Sequence, residues 1–189
     1  MPEIYVFGGC NGSGKTTLAT AILSSVDNQI EFVNADIIAA ELNPNNVDAA
    51  AIQASRLMLE RINTLSRQSR DFAFETTLAA RTFAKFLREC KANGYRINLV
   101  YVWLESAELA VSRVARRVAS GGHNIPEAII SRRYERGRRN FVELYLPIAD
   151  RLQAYDNSGD ENSLIAYRSD PEQEITVIKP DIWNQIVEL

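Results

Sequence analysis

The stretch Gly9–Thr17, GCNGSGKTT, constrains this chain more than any other part of it. It satisfies G-x-x-x-x-G-K-[ST] at every fixed position. Glycines in that pattern let a turn expose successive backbone N–H groups, the helix that follows presents its positive end, and the lysine brings a full charge. The pattern carries weight only between a strand and a helix. Ile4, Tyr5, Val6 and Phe7 form a short apolar strand directly before it, and Leu18, Ala21, Ile22 and Ser25 recur at helical spacing directly after.

The loop therefore predicts a nucleotide site. Gly9, Cys10, Asn11, Gly12, Ser13, Gly14, Lys15, Thr16 and Thr17 are expected to hold the phosphates of ATP, with Thr16 binding Mg²⁺ through its hydroxyl. At 189 residues the chain has room for one well-filled core, and 46% hydrophobic content excludes a disordered chain. The net charge of -3 gives no global reason to expect nucleic acid or an anionic membrane as partner. Met1–Ile4 has no basic leader, and the apolar run Leu99–Leu104 is far short of the roughly 20 residues a bilayer requires, so a cytoplasmic protein is expected. Cys10 and Cys90 form neither a metal spacing nor a disulfide framework. Cys10 reads as a small loop residue; the alternative is an oxidisable thiol activated by the helix end.

Further strands are expected at Ile30–Asn34, Phe72–Thr76 and Ile97–Leu104, the last unbroken enough for burial on both faces. Helices are expected between them: one from near Ile37, one from Asp48 to about Leu65, and one through Phe83, Phe86, Leu87 and Cys90 up to Gly94. In open parallel sheets the reacting groups lie beyond the carboxyl ends of the strands. Asp36 sits there, either to orient an acceptor hydroxyl or to cap a helix. Glu75, Thr76 and Thr77 sit there too, suited to hydrogen-bonding a polyol or sugar, or serving only as a solvated strand end.

From Ala107 the composition changes. Arg113, Arg116, Arg117, Arg132, Arg133, Arg136, Arg138 and Arg139 fall within 27 residues, opposed only by Glu127 and Glu135. Two helices, Ala107–Ala119 and one opened by Pro126, are joined at Gly121-Gly122-His123-Asn124 and read as an arginine-faced lid over phosphates. Four lysines against 17 arginines argue against a generic basic coat, since forked guanidinium groups suit phosphate oxygens. His123 is expected to position the break rather than transfer a proton. Pro147 is expected to end or kink the second lid helix; beyond it, Tyr155–Gly159 reads as a link, Leu164–Arg168 and Glu174–Ile178 as a hairpin, and Asp181–Val187 as a closing helix.

The fold class is accordingly α/β: a P-loop NTPase-type three-layer sandwich with a mostly parallel sheet and a helical arginine-rich lid. A single domain spanning 1–189 is expected, with the lid at about 107–145 and a C-terminal hairpin and helix at about 160–189. With IYVFGGCNGSGKTT, FVNAD, FAFETTL, VYVWLES, RVASGGHNIPEAIISRRYERG, YLPIAD and YDNSG in place, the sequence resembles the zeta toxin family of P-loop kinases from Ile4 to about Gly159. The resemblance implies transfer of the ATP γ-phosphate to a sugar hydroxyl of UDP-N-acetylglucosamine, with an antitoxin protein as a possible partner. It implies Lys15 and Asp36 as catalytic groups, Arg117 and Arg133 as lid arginines on the nucleotide phosphates, and Asp36, Glu75 and Thr77 around the sugar. Rival readings are a kinase of another small hydroxyl compound and a nucleotide-gated binding protein with little turnover.

Overall fold

The computed structural model describes residues 1–26, 30–120, 122 and 124–188. Its centre is β1 (Glu3–Gly8), paired in parallel with β3 (Phe72–Thr76) on one side and β4 (Arg96–Trp103) on the other. Side-chain alternation divides these strands between two apolar layers. Ile4 and Val6 join Phe72, Phe74, Ile97 and Leu99 in the larger core, beneath α3 (Val47–Arg67) and α4 (Arg81–Ala92). Phe7, Ala73 and Val100 face the other way, against Ala19 and Leu23 of α1 (Lys15–Val26). The strands are continuous apolar runs because helices cover both sides.

β2 (Glu31–Val33) pairs in parallel with β3, and β5 (Arg151–Asp156) with β4. β6 (Ser163–Arg168) and β7 (Thr176–Val177) then add antiparallel, giving the order β2-β3-β1-β4-β5-β6-β7. The carboxyl ends of β1 to β5 therefore share one rim. A third apolar cluster joins α5 (Ala107–Ala119) to α6 (Glu127–Asn140) through Ala110, Val114, Ile125 and Ile130. α2 (Ala35–Leu42) packs on α3 through alanines, and α7 (Pro180–Val187) sends Trp183 and Ile186 into the main core. No helix among the described residues is long and apolar enough to cross a membrane.

Five local expectations change. Asn34, not Asp36, caps α2, because its Oδ1 accepts from the N–H groups of Asp36 and Ile37. Asn46, not Asp48, caps α3 through the N–H of Ala49. Arg151–Asp156 forms a strand where a link was expected to start at Tyr155. The outer hairpin strand shrinks to Thr176–Val177. Finally, α6 stops at Asn140 and passes into a π-helical turn, Phe141–Tyr145, so the irregularity precedes Pro147. Gly121 and His123 of the expected glycine break lie outside the described residues.

Candidate active site

The phosphate loop is folded against its neighbours more tightly than any residue with a Cβ would permit. Gly9 has φ +149°, and a Cβ there would stand 2.2 Å from the Val102 carbonyl oxygen. Asn157, in the turn after β5, donates from Nδ2 to the Ser13 carbonyl at 2.8 Å and so braces the loop from outside. Lys15 is only 5% exposed and donates from Nζ to the Cys10 carbonyl at 2.8 Å, which holds the ammonium over its own loop. Ser13 is fully buried, yet its Oγ has no partner among the described residues. A buried hydroxyl without a partner costs free energy unless a ligand satisfies it. That orphan, the glycine cradle and the lysine fit a nucleotide phosphate. Burial pushes the Cys10 thiol up to about 11, against the pull of Lys15, so the small-residue reading stands and an activated thiol does not.

Glu75 ties the rim together. Its Oε2 accepts from the Thr16 hydroxyl at 2.6 Å and from Asn34 Nδ2 at 2.9 Å, while Lys15 Nζ lies 3.5 Å from its Oε1. Asn34 thus uses its amide to hold Glu75 and its carbonyl to cap α2, which fixes Asp36 in the first turn of that helix. Asn34 was not among the residues expected in the site. Its signal was available: a polar residue closing a strand two positions before an acid on the reacting rim. Thr16 and Glu75 together offer oxygen ligands suited to Mg²⁺. Among the described residues no three or more acids, cysteines or histidines converge, so water and phosphate oxygens would have to complete the shell.

Beside the loop lies a cleft of about 370 Å³ lined by Asn11, Lys15, Asp36, Glu75, Thr77 and Arg133, with Met58, Leu59, Phe83 and Ile125 as its apolar wall. Lys15, Asp36, Glu75, Thr77 and Arg133, expected together, are together. Arg133 reaches Asn11 Oδ1 at 3.4 Å; burial and the neighbouring Arg132 lower its pKa, while Asp36 across the cleft raises it. Arg117 is exposed on α5 beside Gly122 and does not line the cleft. Arg113 and Arg138 hold backbone instead: Arg113 donates to the Ser158 and Gly159 carbonyls, and Arg138 to those of Gln185, Ile186 and Glu188 at the end of α7.

α6 reaches the cleft through Gly137, where a Cβ would lie 2.5 Å from the Thr77 carbonyl oxygen. Asn140 Nδ2 donates to the Leu78 carbonyl at 2.8 Å, and the Tyr145 hydroxyl to that of Ala80 at 2.6 Å. These bonds secure a loop in which Leu78, fully buried, has φ +59°, a conformation that an L side chain adopts only when its surroundings impose it.

The zeta toxin family matches residues 1–170. An uncharacterised protein of Haemophilus influenzae is 35% identical over 126 residues, 67% of this chain and 88% of that one. Among solved structures, the AvrRxo1-ORF1:ORF2 complex with ATP aligns over 99% of this chain at 16% identity and a TM-score of 0.76. The present chain spans 64% of that one. A chain of the PezAT toxin–antitoxin system of Streptococcus pneumoniae aligns over 97% of this chain and 76% of its own, at 19% identity and a TM-score of 0.69. The chain belongs to the zeta toxin family, and its fold is that of the P-loop kinases.

Proposed function

We propose that the protein is a small-molecule kinase that moves the γ-phosphate of ATP to a sugar hydroxyl, with UDP-N-acetylglucosamine as the acceptor to test first. One observation carries the reading: the phosphate-loop lysine, the carboxylates Asp36 and Glu75, and Arg133 line one cleft. When bound, the nucleotide supplies the phosphoryl group, and Mg²⁺ offsets its negative charge. Lys15, Thr16 and the loop N–H groups would hold that nucleotide, with Thr16 and Glu75 toward the metal. Asp36, kept in place by the Asn34 cap, orients the acceptor hydroxyl and takes its proton at a carboxylate oxygen. Arg133 balances charge that develops between them. The apolar wall of Met58, Leu59 and Phe83 sheds water from the acceptor side.

That the structural neighbour PezAT is a toxin–antitoxin system supports a protein antitoxin as the physiological partner. Incubation of the protein with ATP, Mg²⁺ and a panel of hydroxyl acceptors, read by mass spectrometry, tests the reading. A product 80 Da heavier, on a nucleotide sugar and dependent on Asp36, is the expected result. ATP binding with no acceptor modified would favour a nucleotide-gated binding protein.

A further inference from the structure

One side chain joins the two halves of the cleft. Asn34 is 5% exposed and stands where β2 ends and α2 begins. Its Nδ2 donates to Glu75 Oε2 at 2.9 Å, while its Oδ1 accepts from the Asp36 N–H at 2.8 Å and more weakly from the Ile37 N–H at 3.4 Å. The amide cannot be turned over: a carboxylate accepts and an N–H donates, so only this orientation satisfies both neighbours. The same Glu75 oxygen accepts from the Thr16 hydroxyl at 2.6 Å. Thr16, Glu75 and Asn34 therefore form one hydrogen-bonded series from the phosphate loop to the backbone of α2.

The far end of that series carries Asp36. Among the described residues its carboxylate accepts no hydrogen bond, and Arg133 across the cleft acts on it through charge alone. Its place is thus set by the backbone of the first turn. N–H groups there have no intrahelical acceptor, and Asn34 supplies one. Ile38 and Ala39 hold the eight-residue helix by packing behind that turn, which leaves the cap as the polar restraint on the part that presents Asp36. The near end is where a ligand would act. Lys15 Nζ, 3.5 Å from Glu75 Oε1, and the Thr16 hydroxyl are the groups that suit a nucleotide phosphate and its metal. A hydroxyl whose oxygen also meets a cation is a stronger donor, and hydrogen bonds in series reinforce one another. Loading the loop should therefore tighten Glu75, then Asn34, then the cap.

Resting on the proposed kinase reading, we infer that Asn34 is a positioning residue that transmits loading of the phosphate loop to Asp36. Asp36 is then placed for an acceptor only once the metal nucleotide has bound, which orders the two substrates. The link is the Asn34 amide acting as a donor to Glu75; capping alone does not provide it.

The test follows hydrogen exchange at the Asp36 and Ile37 amides of the full chain by NMR, because their protection reads the cap directly. Mg²⁺ with a non-hydrolysable ATP analogue should slow exchange at both by about fivefold or more in wild-type protein. The analogue with EDTA should have much less effect. Asn34→Asp preserves size and Asn34→Ser preserves neutrality, and aspartate and serine cap helices about as well as asparagine. Aspartate has no amide to donate, and serine is too short to cap and reach Glu75 together. Both variants should bind the analogue and melt near wild type while losing the response. In the acceptor panel their kcat should fall about 10²-fold, far more than KM for ATP rises. Unchanged exchange in the loaded wild type, an equal response with the metal chelated, or a full response in either variant would overturn the coupling. Failure of the wild type to bind the analogue would instead overturn the kinase reading on which it rests.

Discussion

The two edges of the sheet differ in how their polar side chains are partnered. At the amino edge the charges around Glu3 and Asp150 are answered from within. Glu3 accepts from Tyr5 Oη at 2.8 Å, Arg96 Nη1 at 2.9 Å and Asn98 Nδ2 at 3.2 Å, and Arg151 stands 3.7 Å away. Asp150 takes the Ile97 N–H at 2.8 Å on one oxygen and Lys91 Nζ at 2.7 Å on the other. At the carboxyl edge Ser13 Oγ is buried without a partner, Arg132 and Arg136 are unpaired among the described residues, and Arg133 has only a long contact to Asn11. On the reading proposed above, the Glu3 and Asp150 clusters serve structure and the unpartnered groups of the rim serve a ligand. Substitutions at the two edges should therefore separate stability from activity.

The largest separation is expected at the rim. Arg133→Ala should lower kcat by on the order of 10³ or more, as loss of a phosphate-balancing arginine does, or about 4 kcal/mol of barrier. Its melting temperature should stay within a degree or two of wild type. Arg117→Ala, outside the cleft, should lose less than tenfold in the same assay. Equal losses at the two positions would mean that α5 supplies charge to the reaction as fully as α6 does.

Gly137→Ala breaks the separation deliberately, because α6 meets the Thr77 carbonyl there with no space for a methyl group. Overpacking of this kind costs about 1 to 3 kcal/mol. Since the displaced helix carries Arg133, turnover should fall together with the denaturation midpoint. A variant of full activity would show that the rim tolerates movement of α6.

How much of this was legible in the sequence follows from the range over which each signal acts. The phosphate motif is nine consecutive residues running from the end of a strand into the first turn of a helix, and Asp36 and Glu75 could be placed on its rim because each lies at or just beyond the carboxyl end of an apolar strand. β5 escaped because it alternates: Leu152 and Ala154 are buried, while Arg151 and Gln153 are exposed. Only two inward side chains separate it from a loop, and its other side opens onto a groove with Tyr5, Ile22 and Tyr167 rather than under a helix. The arginines were legible as a group and not one by one. Whether a guanidinium faces a cleft, as Arg133 does, or ties down a helix end, as Arg138 does, depends on contacts 47 to 122 residues away in the chain. The left-handed Leu78 had no local signal, since its conformation is imposed by Asn140 and Tyr145 from another helix.

At the amino edge Asp150→Ala should do the reverse of Arg133→Ala. It leaves the Ile97 N–H without its side-chain acceptor and Lys91 without its carboxylate, at a cost of about 1 to 3 kcal/mol, discounted toward the lower figure because Lys91 is 40% exposed. Chemical denaturation should show the loss, with kcat and KM unchanged. A fall in activity without a fall in stability would deny that this edge is purely structural.

The smallest effect belongs to Glu3 and appears only in acid. Burial works to raise its pKa, but hydrogen bonds from Tyr5, Arg96 and Asn98 and the charge of Arg151 outweigh it, so the folded value lies below the ordinary 4.5. The unfolded chain consequently takes up the proton first as pH falls. The stabilisation is complete above about pH 4.5 and fades as pH drops through the lowered folded value. Glu3→Gln removes that titration. Its stability should lie below wild type at pH 7, by less than about 1 kcal/mol given the partly exposed arginine partners, and the two unfolding curves should converge toward pH 3. If the gap stayed constant from pH 7 to pH 3, the contribution of Glu3 would come from packing and neutral hydrogen bonds. The amino edge would then not be the self-neutralised charge network that sets it apart from the rim.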